Sequence, residues 1–110
     1  MSETYVIQPL SSWLGDYERP TVISGPCSAE SREQVLDIAR QLALIPQVKA
    51  MRAGIWKPRT RPSAFEGVGE EGLKWMQVVQ QETGLKIAVE VAKPAHIELA
   101  LKYGMDILWI

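Results

Sequence analysis

What most limits the fold of this chain is a repeated switch of hydrophobic period. Short apolar, β-branched runs alternate with segments whose apolar residues recur every three or four positions. Thr21-Val22-Ile23-Ser24 is the first run, and Gly25-Pro26 stops it. Ser31 followed by Gln34 is a capping-box pattern. Val35, Ile38, Ala39 and Leu42 then recur at helical spacing until Pro46 breaks the period. Val48 to Ala53 reads as a second strand. Glu70 to Thr83 reads as a second helix with Leu73, Met76 and Val79 on its buried side and Gly84 as its C-terminal glycine. Lys86 to Val91 is a third strand. Pro94 suits the first turn of a third helix, whose buried stripe is read as Ile97, Ala100 and Leu101 and which Gly104 ends. Ile107 to Ile110 is a fourth strand.

The order βαβαβαβ predicts a parallel sheet with right-handed crossovers. The last strand ends in apolar residues with no cap or polar tail, and a closed (β/α)8 barrel takes roughly 250 residues. The expected fold class is therefore α/β, the N-terminal half of a TIM (β/α)8 barrel. Residues 1–20 would be an N-terminal leader, and residues 21–110 an incomplete barrel of four strands and three helices. A complete small open domain of flavodoxin-like size is the alternative. Within the leader, Tyr5-Val6-Ile7 could form a short strand and Trp13-Leu14 could pack against the rest.

Charge and cysteine content narrow the function. Twelve Lys+Arg stand against 13 Asp+Glu, a net charge of -1, which argues against a dedicated nucleic-acid binder. Any positive site must be local. One cysteine, Cys27, excludes an intrachain disulfide and fits a reducing, cytoplasmic compartment. Met1-Ser2-Glu3-Thr4 is polar, unlike a signal peptide. No apolar run nears the ~20 residues that span a bilayer. The expectation is a soluble protein with neither nucleic-acid nor membrane partners.

In parallel α/β folds, ligands bind beyond the C-terminal ends of the strands. The loop after strand two is the most unusual segment there. Arg52-Ala53-Gly54-Ile55-Trp56-Lys57-Pro58-Arg59-Thr60-Arg61-Pro62 holds four cations with no carboxylate before Glu66. Pro58 and Pro62 fix φ and limit flexibility. Arginine grips phosphate or carboxylate through paired hydrogen bonds, and Thr60 adds a hydroxyl. The segment suits a small, multiply charged anion; a solvated basic loop or an RNA-contacting patch is the competing reading. Cys27 follows Gly25-Pro26 at the end of strand one, where a thiolate could be a nucleophile, a metal ligand or an inert packed residue. Glu90, in an apolar strand, could orient the cations or the substrate, or form a structural ion pair. His96 reads as a surface residue of helix three. Trp13, Trp56, Trp75 and Trp109 read as packing, with Trp56 a possible wall of the site.

Two motifs together resemble a known family. Gly25-Pro26-Cys27-Ser28-Ala29-Glu30 and Arg52-Ala53-Gly54-Ile55-Trp56-Lys57-Pro58-Arg59-Thr60, followed by Phe65-Glu66-Gly67, look like type I 3-deoxy-D-arabino-heptulosonate 7-phosphate (DAHP) synthase, of the β-like subgroup. The likeness runs from about Thr21 to Ile110. It implies a transferase that condenses phosphoenolpyruvate with erythrose 4-phosphate to DAHP and phosphate, opening the shikimate pathway to aromatic amino acids. It implies Arg52 and Lys57 on phosphoenolpyruvate, with Lys57 catalytic, and Pro58, Arg59 and Thr60 on erythrose 4-phosphate. It also implies a divalent metal, manganese first with iron, zinc or cobalt as alternatives. Cys27 would be one ligand, with a histidine and two carboxylates expected beyond Ile110. A homo-oligomer and a fused or associated chorismate mutase are further implications. Arg61 stands where the family often has serine, and the family's Gly-Ala-Arg segment is expected after strand four, so these residues alone should be inactive. The nearest rival is 3-deoxy-octulosonate 8-phosphate synthase, which uses arabinose 5-phosphate and resembles Lys-Ala-Asn-Arg-Ser where this chain has Lys57-Pro58-Arg59-Thr60. A non-catalytic anion- or RNA-binding module is the rival of another class.

Overall fold

The computed structural model describes residues 5–15, 20–56 and 67–110. After a 3-10 turn at Leu10–Ser12 come β1 (Val22–Ser24), α1 (Arg32–Leu42), β2 (Val48–Ala53), α2 (Glu70–Thr83), β3 (Lys86–Glu90), α3 (Pro94–Lys102) and β4 (Ile107–Trp109). The four strands form one parallel sheet in the order β1-β2-β3-β4. That order decides between the two architectures open from sequence. A flavodoxin-like sheet places its second strand at an edge and reverses direction. Here every strand pairs with its successor, as around a barrel wall. The unit is α/β and corresponds to the N-terminal half of a (β/α)8 barrel.

Side-chain alternation along the strands divides the sheet into two faces. Met51 and Ala53 of β2, Ile87 and Val89 of β3 and Leu108 of β4 join one hydrophobic core with Val35, Leu36 and Ala39 of α1, Leu73, Met76 and Val79 of α2 and Ala100 of α3. The opposite face carries Ala50 and Arg52, Ala88 and Glu90, and Ile107 and Trp109.

Local signals explain the helix boundaries. The Ser31 hydroxyl accepts from Gln34 N–H (3.1 Å), which caps α1. Gly84 ends α2 in the left-handed conformation (φ 74°) and its N–H donates to the Gln80 carbonyl (3.0 Å). Gly72 is on the buried side of α2, where a Cβ would sit 2.6 Å from Ile55 Cγ2 and 2.7 Å from Val68 Cγ2, so the packing favours glycine. At the other end of the sheet, Asp106 accepts from Ile87 N–H (2.9 Å) and from the Gln80 side chain (3.0 Å), tying β3, α2 and the approach to β4 together. Arg40 of α1 forms two hydrogen bonds to Glu82 of α2 (2.8 and 3.0 Å), which raises the guanidinium pKa and lowers the carboxyl pKa. The pair is solvent-exposed, so it adds register more than stability.

Two expectations fail. Tyr5-Val6-Ile7 is exposed and forms no strand, because β propensity acts only where a neighbouring strand supplies pairing and burial. The buried stripe of α3 is rotated toward His96, by less than the ~100° that separates successive residues. His96 and Ala100 are buried, Ile97 is partly buried, and Leu101 is 62% exposed.

Met76 is fully buried at the centre of the α2 contact with the sheet. Met76→Ala is expected to cost about 2–5 kcal/mol, a large share of the ~5–15 kcal/mol available to a domain. A urea titration would show it as a lower midpoint with an unchanged slope.

Candidate active site

Three loops meet at the C-terminal edge of the sheet. The chain leaving β1 passes so close to β2 that only glycine fits. A Cβ on Gly25 would lie 2.0 Å from the Arg52 carbonyl oxygen, and Gly25 has φ of 152°. This approach lets backbone bonding continue past the strands. Gly54 N–H donates to Pro26 O (3.3 Å), and Ala29 N–H donates to Gly54 O (2.9 Å). Cys27 sits between these ties at an exposed position. Gln34 braces the same loop from α1. Its Oε1 accepts from Glu30 N–H (2.7 Å), and its Nε2 donates to Ser28 O (3.3 Å).

Arg52 is partly buried on the face opposite the helices. Its guanidinium carbon lies 5.3 Å from the centroid of the Trp109 ring, a cation–π contact. Arg52 pairs in register with Ala88 and Glu90 pairs with Trp109, so small Ala88 lets the arginine reach across β3 to β4. Arg52 Nε is buried and has no hydrogen-bond partner among the described residues. Glu90 is on the same face and partly buried, and among the described residues no ion pair joins it to Arg52.

Trp56, at the end of this segment, stacks on His96 of α3 with centroids 4.0 Å apart and planes 4° from parallel. Trp56 is thus a packing residue at the site's edge. His96 is 8% exposed, which corrects its assignment to the surface. Ala92 N–H donates to His96 Nδ1 (3.1 Å), leaving the ring proton on Nε2. Burial, with Lys93 nearby, holds the histidine pKa below its ordinary value and keeps the ring neutral. A histidine on a helix face gave no sign of this role; the aromatic partner lies on another loop. Across the base of the segment, Gly69 N–H donates to Ile55 O (2.8 Å).

Lys57, Pro58, Arg59, Thr60 and Arg61 lie outside the described residues. The structure therefore brings together Cys27, Arg52 and Glu90 at one edge of the sheet. No three His, Cys, Asp or Glu side chains converge into a metal site among the described residues. Cys27 offers one suitable donor there.

Comparison with known proteins identifies the class. The model of the DAHP synthetase I family matches residues 4–110, and the chain belongs to that family. It is 36% identical over 90 residues to a phospho-2-dehydro-3-deoxyheptonate aldolase of Thermotoga maritima, covering 82% of this chain and 26% of that protein. It is also 36% identical over 95 residues to a 2-dehydro-3-deoxyphosphooctonate aldolase of Syntrophotalea carbinolica, covering 81% and 34%. The crystal structure of the Thermotoga maritima DAHP synthase superimposes with a TM-score of 0.73 at 35% identity, over 81% of this chain and 25% of that one. The chain thus spans about a quarter to a third of the length of the curated relatives it matches. Among the described residues, no helix is long and apolar enough to cross a membrane.

Two predictions follow from the geometry. Gly84 has a positive φ and open space around it, so Gly84→Ala should cost about 1 kcal/mol from backbone strain alone. Gly25→Ala adds a backbone clash, so it should cost distinctly more and alter the rate at which Cys27 reacts with a thiol reagent. The second concerns pH. A histidine with a lowered folded pKa contributes stability above its unfolded value, about 6.5, and loses it as pH falls toward the folded value. Urea titrations below pH 6.5 should show that loss, and His96→Phe should flatten it.

Proposed function

We propose that these residues belong to a 3-deoxy-7-phosphoheptulonate synthase, a transferase of aromatic amino acid biosynthesis. Carbon 3 of phosphoenolpyruvate forms a bond to the aldehyde carbon of erythrose 4-phosphate. Water adds at carbon 2, the carbon–oxygen bond to the phosphoryl group breaks, and DAHP and inorganic phosphate leave. The observation that carries this reading is Arg52, whose guanidinium lies over Trp109 with a buried Nε unpartnered among the described residues. A cation held at the C-terminal strand edge with no carboxylate partner among the described residues suits an anionic substrate.

In this reading Arg52 and Lys57 hold phosphoenolpyruvate, while Pro58, Arg59 and Thr60 receive erythrose 4-phosphate. Their work is to hold two anions side by side against repulsion and in line for reaction. Glu90 orients the substrate or the cations that follow Trp56, since Trp109 rather than Glu90 holds Arg52. Cys27 is one ligand of a divalent metal, manganese by family resemblance, whose other ligands come from outside these residues. Such a metal would polarise the aldehyde as a Lewis acid. A homo-oligomer, a chorismate mutase partner and a cytoplasmic setting belong to the same proposal.

The octulosonate reading has its own support in the Syntrophotalea carbinolica relative. Lys57-Pro58-Arg59-Thr60 favours the heptulonate reading. The protein carrying this chain should form DAHP from phosphoenolpyruvate and erythrose 4-phosphate; equal use of arabinose 5-phosphate would overturn the substrate assignment. Chelation should abolish turnover and manganese restore it, and undiminished activity in Cys27→Ala would sink the metal assignment. Lys57→Ala should lower kcat by a factor on the order of 100–1000. Arg59→Ala should mainly raise the KM for erythrose 4-phosphate, by roughly 10–100-fold.

A further inference from the structure

We infer that His96 is a positioning residue: its stack on Trp56 clamps the point at which the chain leaves β2 for the Lys57–Thr60 segment. Three observations converge on this. The rings lie 4.0 Å apart and within 4° of parallel, which is face-to-face contact rather than incidental proximity. The imidazole cannot turn freely, because it is 8% exposed and its Nδ1 accepts the Ala92 N–H at 3.1 Å. Trp56 is covalently joined to Lys57, so fixing its ring fixes the backbone from which the cations follow.

The clamp complements the bond from Gly69 N–H to Ile55 O, 2.8 Å, on the same stretch of chain. A hydrogen bond fixes where the backbone is, and the ring stack fixes how Trp56 is turned. His96 also joins two loops that sequence separates. Through Ala92 it holds the β3–α3 turn, and through Trp56 it holds the departure from β2. No charged group is needed for this, and a neutral imidazole is the form that accepts at Nδ1. The role assigned to the clamped segment rests on the synthase reading; the clamp itself does not.

Two measurements separate the claims. Limited trypsin digestion reports the clamp without substrate. The peptide bond after Arg59 is the informative one, since Lys57 and Arg61 each precede proline and resist trypsin. Losing the stack frees Trp56 and the chain it leads into, so cleavage should speed about tenfold. His96→Asn keeps an acceptor near Nδ1 but has no ring, and should show that acceleration. His96→Phe keeps the ring and should stay near the unsubstituted rate. Cleavage after Lys74, within α2, controls for general unfolding; if His96→Ala accelerates both sites, the Asn and Phe pair decides. Equal rates for the Asn and Phe variants would overturn the clamp.

The second measurement is steady-state kinetics of DAHP formation. His96→Asn should raise the KM for erythrose 4-phosphate about tenfold with kcat largely kept, and His96→Phe should not. Faster cleavage with an unchanged KM would overturn the positioning role. Absence of DAHP formation by the unsubstituted full-length protein carrying this chain would overturn the synthase reading and leave the digestion result to judge the clamp.

Discussion

The site depends on how closely two backbones approach. At Gly25 the chain leaving β1 runs against the carbonyl of Arg52, at a distance that excludes any side chain. Because of that contact, backbone hydrogen bonds extend from the β1–β2 ladder into the loops, through Gly54 to Pro26 and Ala29. Cys27 and Arg52 are thereby carried on one stiff framework, although each belongs to a different βα unit. The pairing of β1 with β2 shifts register between Val22 and Ile23, so the strand is already bent before it reaches Gly25. Irregularities of this kind re-aim a chain end beside a site. A regular ladder with an alanine at residue 25 would have pushed the thiol loop outward.

A second constraint recurs at two helix starts. In α1 the third helical residue, Gln34, reaches back to the N–H of Glu30, just before the cap. In α3 the third helical residue, His96, reaches back to the N–H of Ala92 in the same way. Both satisfy a loop donor one residue before the cap, and so tie each loop to its helix. The two side chains differ in what remains available. The second polar atom of Gln34 is spent on the Ser28 carbonyl, within its own loop. His96 has two ring faces besides its nitrogen atoms, and one of them meets Trp56. An amide could have made the cap, but only an aromatic acceptor makes both contacts.

The hydrophobic period made all four strands and three helices legible, because burial against a single core imposes it on the sequence. Leu73, Met76 and Val79 are the plainest case: they were read as the buried side of α2 and all are fully buried. The rotation of α3 was not legible. Hydropathy ranks Leu101 above His96, yet burial went to the residue with a capping bond and a stacking partner. That partner is contributed by a distant loop, which no local window includes. Likewise, the cysteine's place at a strand end could be read from Gly25-Pro26, but its exposure depends on ties to Gly54. Ala88 shows the same limit, since its small size matters only because Arg52 and Trp109 flank it across three strands.

The treatment of Arg52 is the clearest physical argument for an anion site. A cation partly removed from water is usually matched with a carboxylate. Glu90 lies on the same face of the sheet, and among the described residues it forms no ion pair with Arg52. The ring of Trp109 holds the guanidinium instead. Such a contact gives about 0.5–2 kcal/mol, enough to select an orientation. Among the described residues, it leaves the positive charge without a carboxylate. A carboxylate in that place would fix the arginine more tightly and would compete with any anionic ligand for the same N–H groups. An aromatic face positions the cation and, on the proposed synthase reading, keeps its donors for the ligand. The buried Nε, unpartnered among the described residues, is the expected mark of that arrangement, because an unsatisfied donor costs about 1–3 kcal/mol and is tolerated where binding restores the bond.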